Sequence, residues 1–240
     1  MDKKVQLQNL IQEMSQDSAC ESMFEINNDK NLINQFKYST FIPNKWFDWP
    51  KYSESKIMIV GQDWGPYAIL KRKFIDTFEI ESKGKDFDYD KFLYQTFSSR
   101  TEKFIQKSIE YWFEIVHHTQ MNFRDWDNYF FTIAVMFCRS GNLFRGSTNF
   151  DAKRSLAVSR YYLKKQIEIV QPQKIMTLGG LSLRQVFSIL GIEDKRKLSE
   201  IVLHNDKFNC QEIEIFPNFH PASHVDKRII RDKFQNIIPY

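Results

Sequence analysis

Seven consecutive residues, Gly61-Gln62-Asp63-Trp64-Gly65-Pro66-Tyr67, hold a carboxylate and a carboxamide in a turn stiffened by glycine and proline. They follow Lys56-Ile57-Met58-Ile59-Val60, an apolar run that reads as a buried strand of a parallel sheet. Ligand sites of open α/β sheets lie beyond the carboxyl ends of the strands. Asp63 is therefore expected at the mouth of a crevice, where a carboxylate can orient or deprotonate a water. The same residues also suit a plain tight connection with an N-capping Asp. A second constellation weighs against that alternative. Glu212-Ile213-Glu214-Ile215-Phe216 reads as a short strand and leads into Pro217-Asn218-Phe219-His220-Pro221-Ala222-Ser223-His224. His220 is pinned by two prolines and followed by a small residue, a hydroxyl and a second histidine. Two polar, backbone-restrained loops after two strands are expected to form opposite walls of one site.

The rest of the chain supplies elements to carry those loops. Helical spacing of apolar residues predicts helices over 5–14, 32–36 and 101–118, the last with Phe104, Ile105, Ile109, Trp112, Phe113 and Val116 on one face. His117-His118 reads as a capping pair at its end rather than a metal site. The aromatic and proline-rich stretch 41–50 is expected to pack over a sheet edge rather than stack on bases. Tyr129-Phe130-Phe131-Thr132-Ile133-Ala134-Val135 is the next strand and runs into a polar loop, 136–142. A helix over 156–170 is stopped by Pro172, just before the strand Lys174-Ile175-Met176-Thr177-Leu178. Gly179-Gly180 then turns into a helix over 181–190, and Lys195-Arg196-Lys197 lies in a charged loop. A closing helix is expected at about 225–237. Alternating strands and helices predict an α/β fold, a three-layer α/β/α sandwich around a central four-stranded parallel sheet. The chain reads as a single domain, 1–240, with an N-terminal helical extension at about 1–50 and a helical insertion at about 71–127.

Composition fits a globular enzyme of the reduced cytoplasm. In 240 residues, 42% hydrophobic content with 22 Phe is ample for a core, and the net charge of +4 mildly favours an anionic partner. The three cysteines, Cys20, Cys138 and Cys210, form no CxxC pair, so neither a zinc ribbon nor a disulfide framework is indicated. No signal-peptide core and no bilayer-spanning run stand out. A monomer without metal or cofactor is expected.

With these residues in view, the chain resembles the uracil-DNA glycosylase superfamily over about 56–239. Gly61-Gln62-Asp63 is similar to the opening of the water-activating motif of the best-known uracil-excising family. Trp64-Gly65-Pro66-Tyr67 is closer to the Gly-Pro-Phe version of the single-strand-selective family. Phe219-His220-Pro221-Ala222-Ser223 resembles the second motif, His-Pro-Ser or His-Pro-Ala, whose loop penetrates the minor groove. The passage from Ile167 through Pro172 to Leu178-Gly179 resembles the helix–Pro–strand–Leu-Gly segment of the thermostable families. The resemblance implies hydrolysis of a base–sugar bond in DNA, with Asp63 holding the water and stabilising a cationic sugar. His220 would hydrogen-bond the base carbonyl oxygen as charge develops there. Gly61 and Gln62 would contact the flipped base, Tyr67 or Phe74 would stack on it, and Asn142 is a candidate to read its edge. Pro221, Ala222, Ser223 and His224 would be the wedge or phosphate-gripping loop, with Lys71, Arg72, Lys227 and Arg228 neutralising phosphates. Ordinary solvated surface charge is the alternative for those four.

One departure matters. Families with an N-V-V-K-C-R-like loop read the uracil edge with an Asn that aligns here with Ala134. Asn142 or Asn128 is left to substitute, and the base excised need not be uracil. Only Cys138 matches the iron–sulfur pattern of related proteins, so no cluster is expected. A catalytically silent nucleic-acid-binding protein on the same fold is the competing expectation. An unrelated hydrolase or nucleotide-binding protein is disfavoured, since the Gly61 turn lacks both the phosphate-loop Lys-Ser/Thr and a GxGxxG pattern.

Overall fold

A computed structural model describes residues 2–16, 51–62, 100–135 and 152–239. In chain order these form α1 (Lys3–Gln16), β1 (Ile57–Gly61), α2 (Arg100–His117), a 3-10 turn (Phe123–Asn128), β2 (Tyr129–Ile133), α3 (Ala152–Val170), β3 (Lys174–Leu178), α4 (Gly180–Leu190), α5 (Leu198–Leu203), β4 (Phe208–Cys210), β5 (Ile213–Asn218), α6 (Lys227–Asp232) and a closing 3-10 turn (Lys233–Ile237). The expected helix at 32–36 and the aromatic stretch 41–50 lie outside the described residues.

The sheet runs β2-β1-β3-β5-β4. The four expected strands are all parallel to one another. The expected four-stranded sheet is corrected to five, because Phe208–Cys210 adds an antiparallel edge strand against β5. This strand turns back through Gln211, whose φ of 55° lies in the left-handed region. Three residues with a polar one at the centre carry too short an alternation to announce a strand. The charged stretch 195–197 also leads at once into α5, a six-residue helix too short to show a helical period.

Every residue of β1 and β2 is buried, as expected of strands covered on both faces. From β1 the chain passes through α2 to β2 on one side, then through α3 back across β1 to β3 on the other. Right-handed crossovers in opposite directions place α2 and α3 on opposite faces. Packing agrees: α1, α3 and α4 group together, whereas α2, α6 and the closing 3-10 turn form the second group. Polar ties reinforce both groups. Lys3 donates to the carbonyl of Val170 (3.0 Å), and Lys165 pairs with Glu13 (2.8 Å). On the other face the Trp112 indole donates to the Arg231 carbonyl (3.0 Å). His117 Nε2 meets the Pro239 carbonyl (2.8 Å), and His118 leaves the helix at φ 54°, so the histidine pair terminates α2 and ties it to the C-terminal segment. The fully buried side chains Met58, Ile59, Tyr129, Phe130, Tyr162 and Phe234 form the centre of the core. The outcome for the site is that β1, β3 and β5 end side by side at one edge.

Candidate active site

At that edge, three strand ends are bolted together by groups that strand pairing alone would leave free. The carbonyl of Gly61 accepts from the backbone N–H of Ala134 (2.9 Å) and from the Ser182 hydroxyl (2.8 Å). The next carbonyl, Gln62, accepts from Val135 N–H (2.9 Å). The last residues of β1 are thus fixed to the continuation of β2 and to the first turn of α4. Ser182 is wholly buried, and its hydroxyl also reaches the Leu178 carbonyl (3.2 Å).

Gly179 shapes the neighbouring turn. Its φ of 102° is one that L side chains rarely adopt, and its N–H donates to the Asn218 carbonyl at the end of β5 (2.9 Å). A Cβ at this position would lie 2.3 Å from Nε2 of Gln62. The absent side chain is what lets the Gln62 carboxamide lie across the end of β3. Gly179→Ala is expected to destabilise the fold by about 1–3 kcal/mol through the backbone conformation and this clash. In urea titrations, the double variant Gln62→Ala/Gly179→Ala should cost less than the sum of the singles, because the clash is then gone. Strict additivity would refute the contact.

The second wall begins at Asn218, which has no solvent exposure. Its amide donates to the Ile230 carbonyl (3.0 Å) and its side-chain oxygen accepts from Phe219 N–H (2.8 Å), locking the exit of β5 against α6. The chain then makes a tight turn closed by Ser223 N–H donating to the His220 carbonyl (2.8 Å). Within it, the Ala222 N–H donates to Nδ1 of His220 (3.1 Å). A ring nitrogen that accepts carries no proton, so in the neutral imidazole the proton sits on Nε2. In that tautomer His220 presents Nε2–H as a hydrogen-bond donor.

The two walls stand at the same level. Val60 pairs with Thr177 and Leu178 with Asn218, so β1 and β5 flank β3 with Gly61 and Asn218 near its end. Two inter-strand spacings separate them by about 10 Å.

Of the other expected site residues, Asp63, Tyr67, Lys71, Arg72, Phe74 and Asn142 lie outside the described residues. Ala134 is completely buried beside Gly61, with a methyl group where an amide was expected. Asn128 is excluded as its substitute. It precedes β2 at the amino end and donates to Asp125 O (3.2 Å). A five-residue strand, roughly 17 Å long, then separates it from the site. In the His220 loop, Pro221 is buried, Ala222 and His224 are exposed, and Ser223 Oγ is shielded from solvent without a partner among the described residues. Lys227 is exposed but folds back on the loop: its ammonium donates to the carbonyls of Pro221 (2.6 Å) and Ser223 (2.6 Å). Arg228 stays exposed but is paired with Asp226 (2.8 and 3.1 Å). Hydrogen bonding to Arg228 holds the Asp226 carboxyl below the ordinary carboxylate range. Among the described residues no cluster of His, Cys, Asp or Glu could hold a metal ion, and no helix is long and apolar enough to cross a membrane.

Sequence reasoning missed Ser182, Asn218 and the hydrogen bonds of Lys227 to its own loop. Only Gly179 had announced itself, through the Gly-Gly pair after a strand.

Comparison with known proteins matches residues 48–238 to the family described as the Uracil DNA glycosylase superfamily. A type-4 uracil-DNA glycosylase of Sulfurisphaera tokodaii is 32% identical over 82 residues, which cover 32% of this chain and 37% of that relative. The chain therefore matches little more than a third of that relative's length.

Proposed function

This chain belongs to the uracil-DNA glycosylase superfamily, and from that premise we propose that it hydrolyses the N-glycosidic bond of uracil or another deaminated base in DNA, the opening step of base excision repair. The observation that carries the proposal is the pairing of two walls. On one side β1 ends at Gly61, and Gln62, the last described residue before Asp63, is held by Val135 N–H; on the other, two residues past β5, the Ala222 N–H donates to Nδ1 of His220, and both observations support a shared site.

The chemistry follows from charge. As the base–sugar bond breaks, positive charge grows on the sugar and negative charge on the departing base. Asp63 offers a carboxylate to the oxocarbenium-like sugar and holds the attacking water. His220 Nε2–H donates to the base carbonyl oxygen where negative charge collects. Because Nδ1 already accepts from Ala222, donation from Nε2 costs no proton rearrangement at the moment of reaction. The bond is out of reach within a duplex, so the nucleotide is extruded. The His220 loop, with Ala222 and His224 exposed, fills the space vacated. Gln62, with Tyr67 or Phe74, contacts and stacks on the flipped base, Asn142 is the remaining candidate to read its edge, and Lys71, Arg72 and Arg228 face phosphates.

A second reading rests on Ala134. A buried methyl at that position offers no donor or acceptor to a base edge, and a site without such partners loses selectivity. On that reading the protein binds DNA without cutting the glycosidic bond. Single- and double-stranded oligonucleotides carrying one uracil decide the matter, followed by hypoxanthine and xanthine. Alkali-cleavable abasic sites are the expected result. Salt-dependent DNA binding with no release of any of the three bases would overturn the enzyme reading and leave the silent binder.

A further inference from the structure

We propose that Lys227 is a positioning residue for His220. It braces the turn 220–223 and thereby fixes which imidazole nitrogen carries the proton. Lys227 opens α6 and sends its ammonium back to two carbonyls of that turn, Pro221 (2.6 Å) and Ser223 (2.6 Å). Such charge-assisted bonds are short and strong. The consequence for His220 comes from the planarity of one peptide unit. The carbonyl of Pro221 and the N–H of Ala222 belong to the same trans peptide and point in opposite directions. Drawing Pro221 O toward Lys227 aims Ala222 N–H the other way, and there it meets Nδ1 of His220 (3.1 Å). Ser223 N–H closes the turn onto His220 O (2.8 Å), so the second braced residue is held as well.

Lys227 is thus linked to the imidazole through a single rigid plane. With the brace, Nδ1 is an acceptor and the neutral ring presents Nε2–H. Without it, the plane loses the bond that fixes its orientation within the turn still closed by Ser223 N–H, the Ala222 N–H can swing off Nδ1, and both neutral tautomers become available. A ring protonated on Nδ1 has a lone pair at Nε2 and repels the carbonyl oxygen it ought to stabilise. Two of the three ammonium N–H bonds are spent on the protein's own carbonyls, which separates this role from that of a phosphate anchor.

The catalytic consequence rests on the glycosylase reading, whereas the tautomer does not. The test uses the full chain with 15N-labelled histidine. Ring-nitrogen NMR at neutral pH is recorded for wild type, Lys227→Met and Lys227→Arg, alongside single-turnover base release and thermal melting. Wild type should show His220 as the Nε2–H tautomer, and Lys227→Met a mixture. Release by Lys227→Met should fall roughly 10- to 30-fold, part of the 10²–10³ that loss of an oxyanion donor costs. Lys227→Arg, whose fork can reach two carbonyls, should restore both readouts. An unchanged tautomer in Lys227→Met would overturn the proposal. So would a variant whose only defect is weaker DNA binding with a salt slope shallower by about one, the mark of a lost phosphate contact. If Lys227→Met fails to fold, Lys227→Gln takes its place under the same criteria. If wild type releases no base, the glycosylase reading falls, and the tautomer in the variant still decides the role of Lys227.

Discussion

His220→Ala is expected to slow single-turnover release of the base by about 10²–10³-fold, roughly 3–4 kcal/mol of transition-state stabilisation. DNA affinity should move by no more than about threefold, because the charge that Nε2–H meets is present only while the glycosidic bond is breaking. The size of the effect follows from preorganisation. Asn218 holds the exit of β5, the turn is closed by Ser223, and Ala222 assigns the imidazole proton. No group need move when charge appears on the base. His220→Gln is the informative companion. It keeps an N–H donor but loses the ring fixed by the Ala222 amide, so its rate should fall between those of wild type and the alanine variant. Equal rates for wild type and His220→Ala would remove His220 from the chemistry. A loss of rate matched by an equal loss of affinity would make it a DNA contact instead.

The difference between what was legible and what was not lies in the range of the forces involved. β3 could be read to the residue, because Pro172 and Gly179 bracket the five-residue segment Lys174–Leu178 with its apolar Ile175, Met176 and Leu178. α3 began earlier than its apolar period suggested, since Ala152, Lys153 and Arg154 are good helix formers that carry no apolar signal. β4 escaped because an edge strand is made by its partner, β5, more than by its own sequence. The same division holds at the site. Gly61 ends β1, and Gln62 and His220 follow strands where nearby glycines and prolines in the sequence mark them locally. The groups that hold these residues announce nothing. Ser182 reaches a carbonyl 121 positions away, and its place in the helix sequence is that of any small polar residue. Lys227 is indistinguishable from a surface cation until its ammonium is seen on Pro221 and Ser223. Asn128 shows the converse. By residue type it was a fair candidate to read a base, and its position at the amino end of β2 removes it.

Asp63→Asn is expected to reduce base release by about 10²–10⁴-fold, the range for loss of a group that handles the nucleophile's proton. The substitution keeps size and hydrogen-bonding capacity, so a water can still be held, but the negative charge facing the sugar is lost. Folding should be unaffected, since Gly61 and Gln62 are fixed through their carbonyls by Ala134, Val135 and Ser182 and not through the next side chain. DNA affinity should stay the same or rise slightly, because a carboxylate near phosphates is mildly repulsive. That combination, a lost rate with retained binding, separates a catalytic carboxylate from an N-capping one, whose removal would show in the melting curve. The double variant Asp63→Asn/His220→Ala adds the decisive comparison. Groups that act on one transition state are not additive, so the double variant should be little slower than the worse single. Fully multiplicative losses would mean that the two walls act on separate steps, and the single-site mechanism would have to be abandoned.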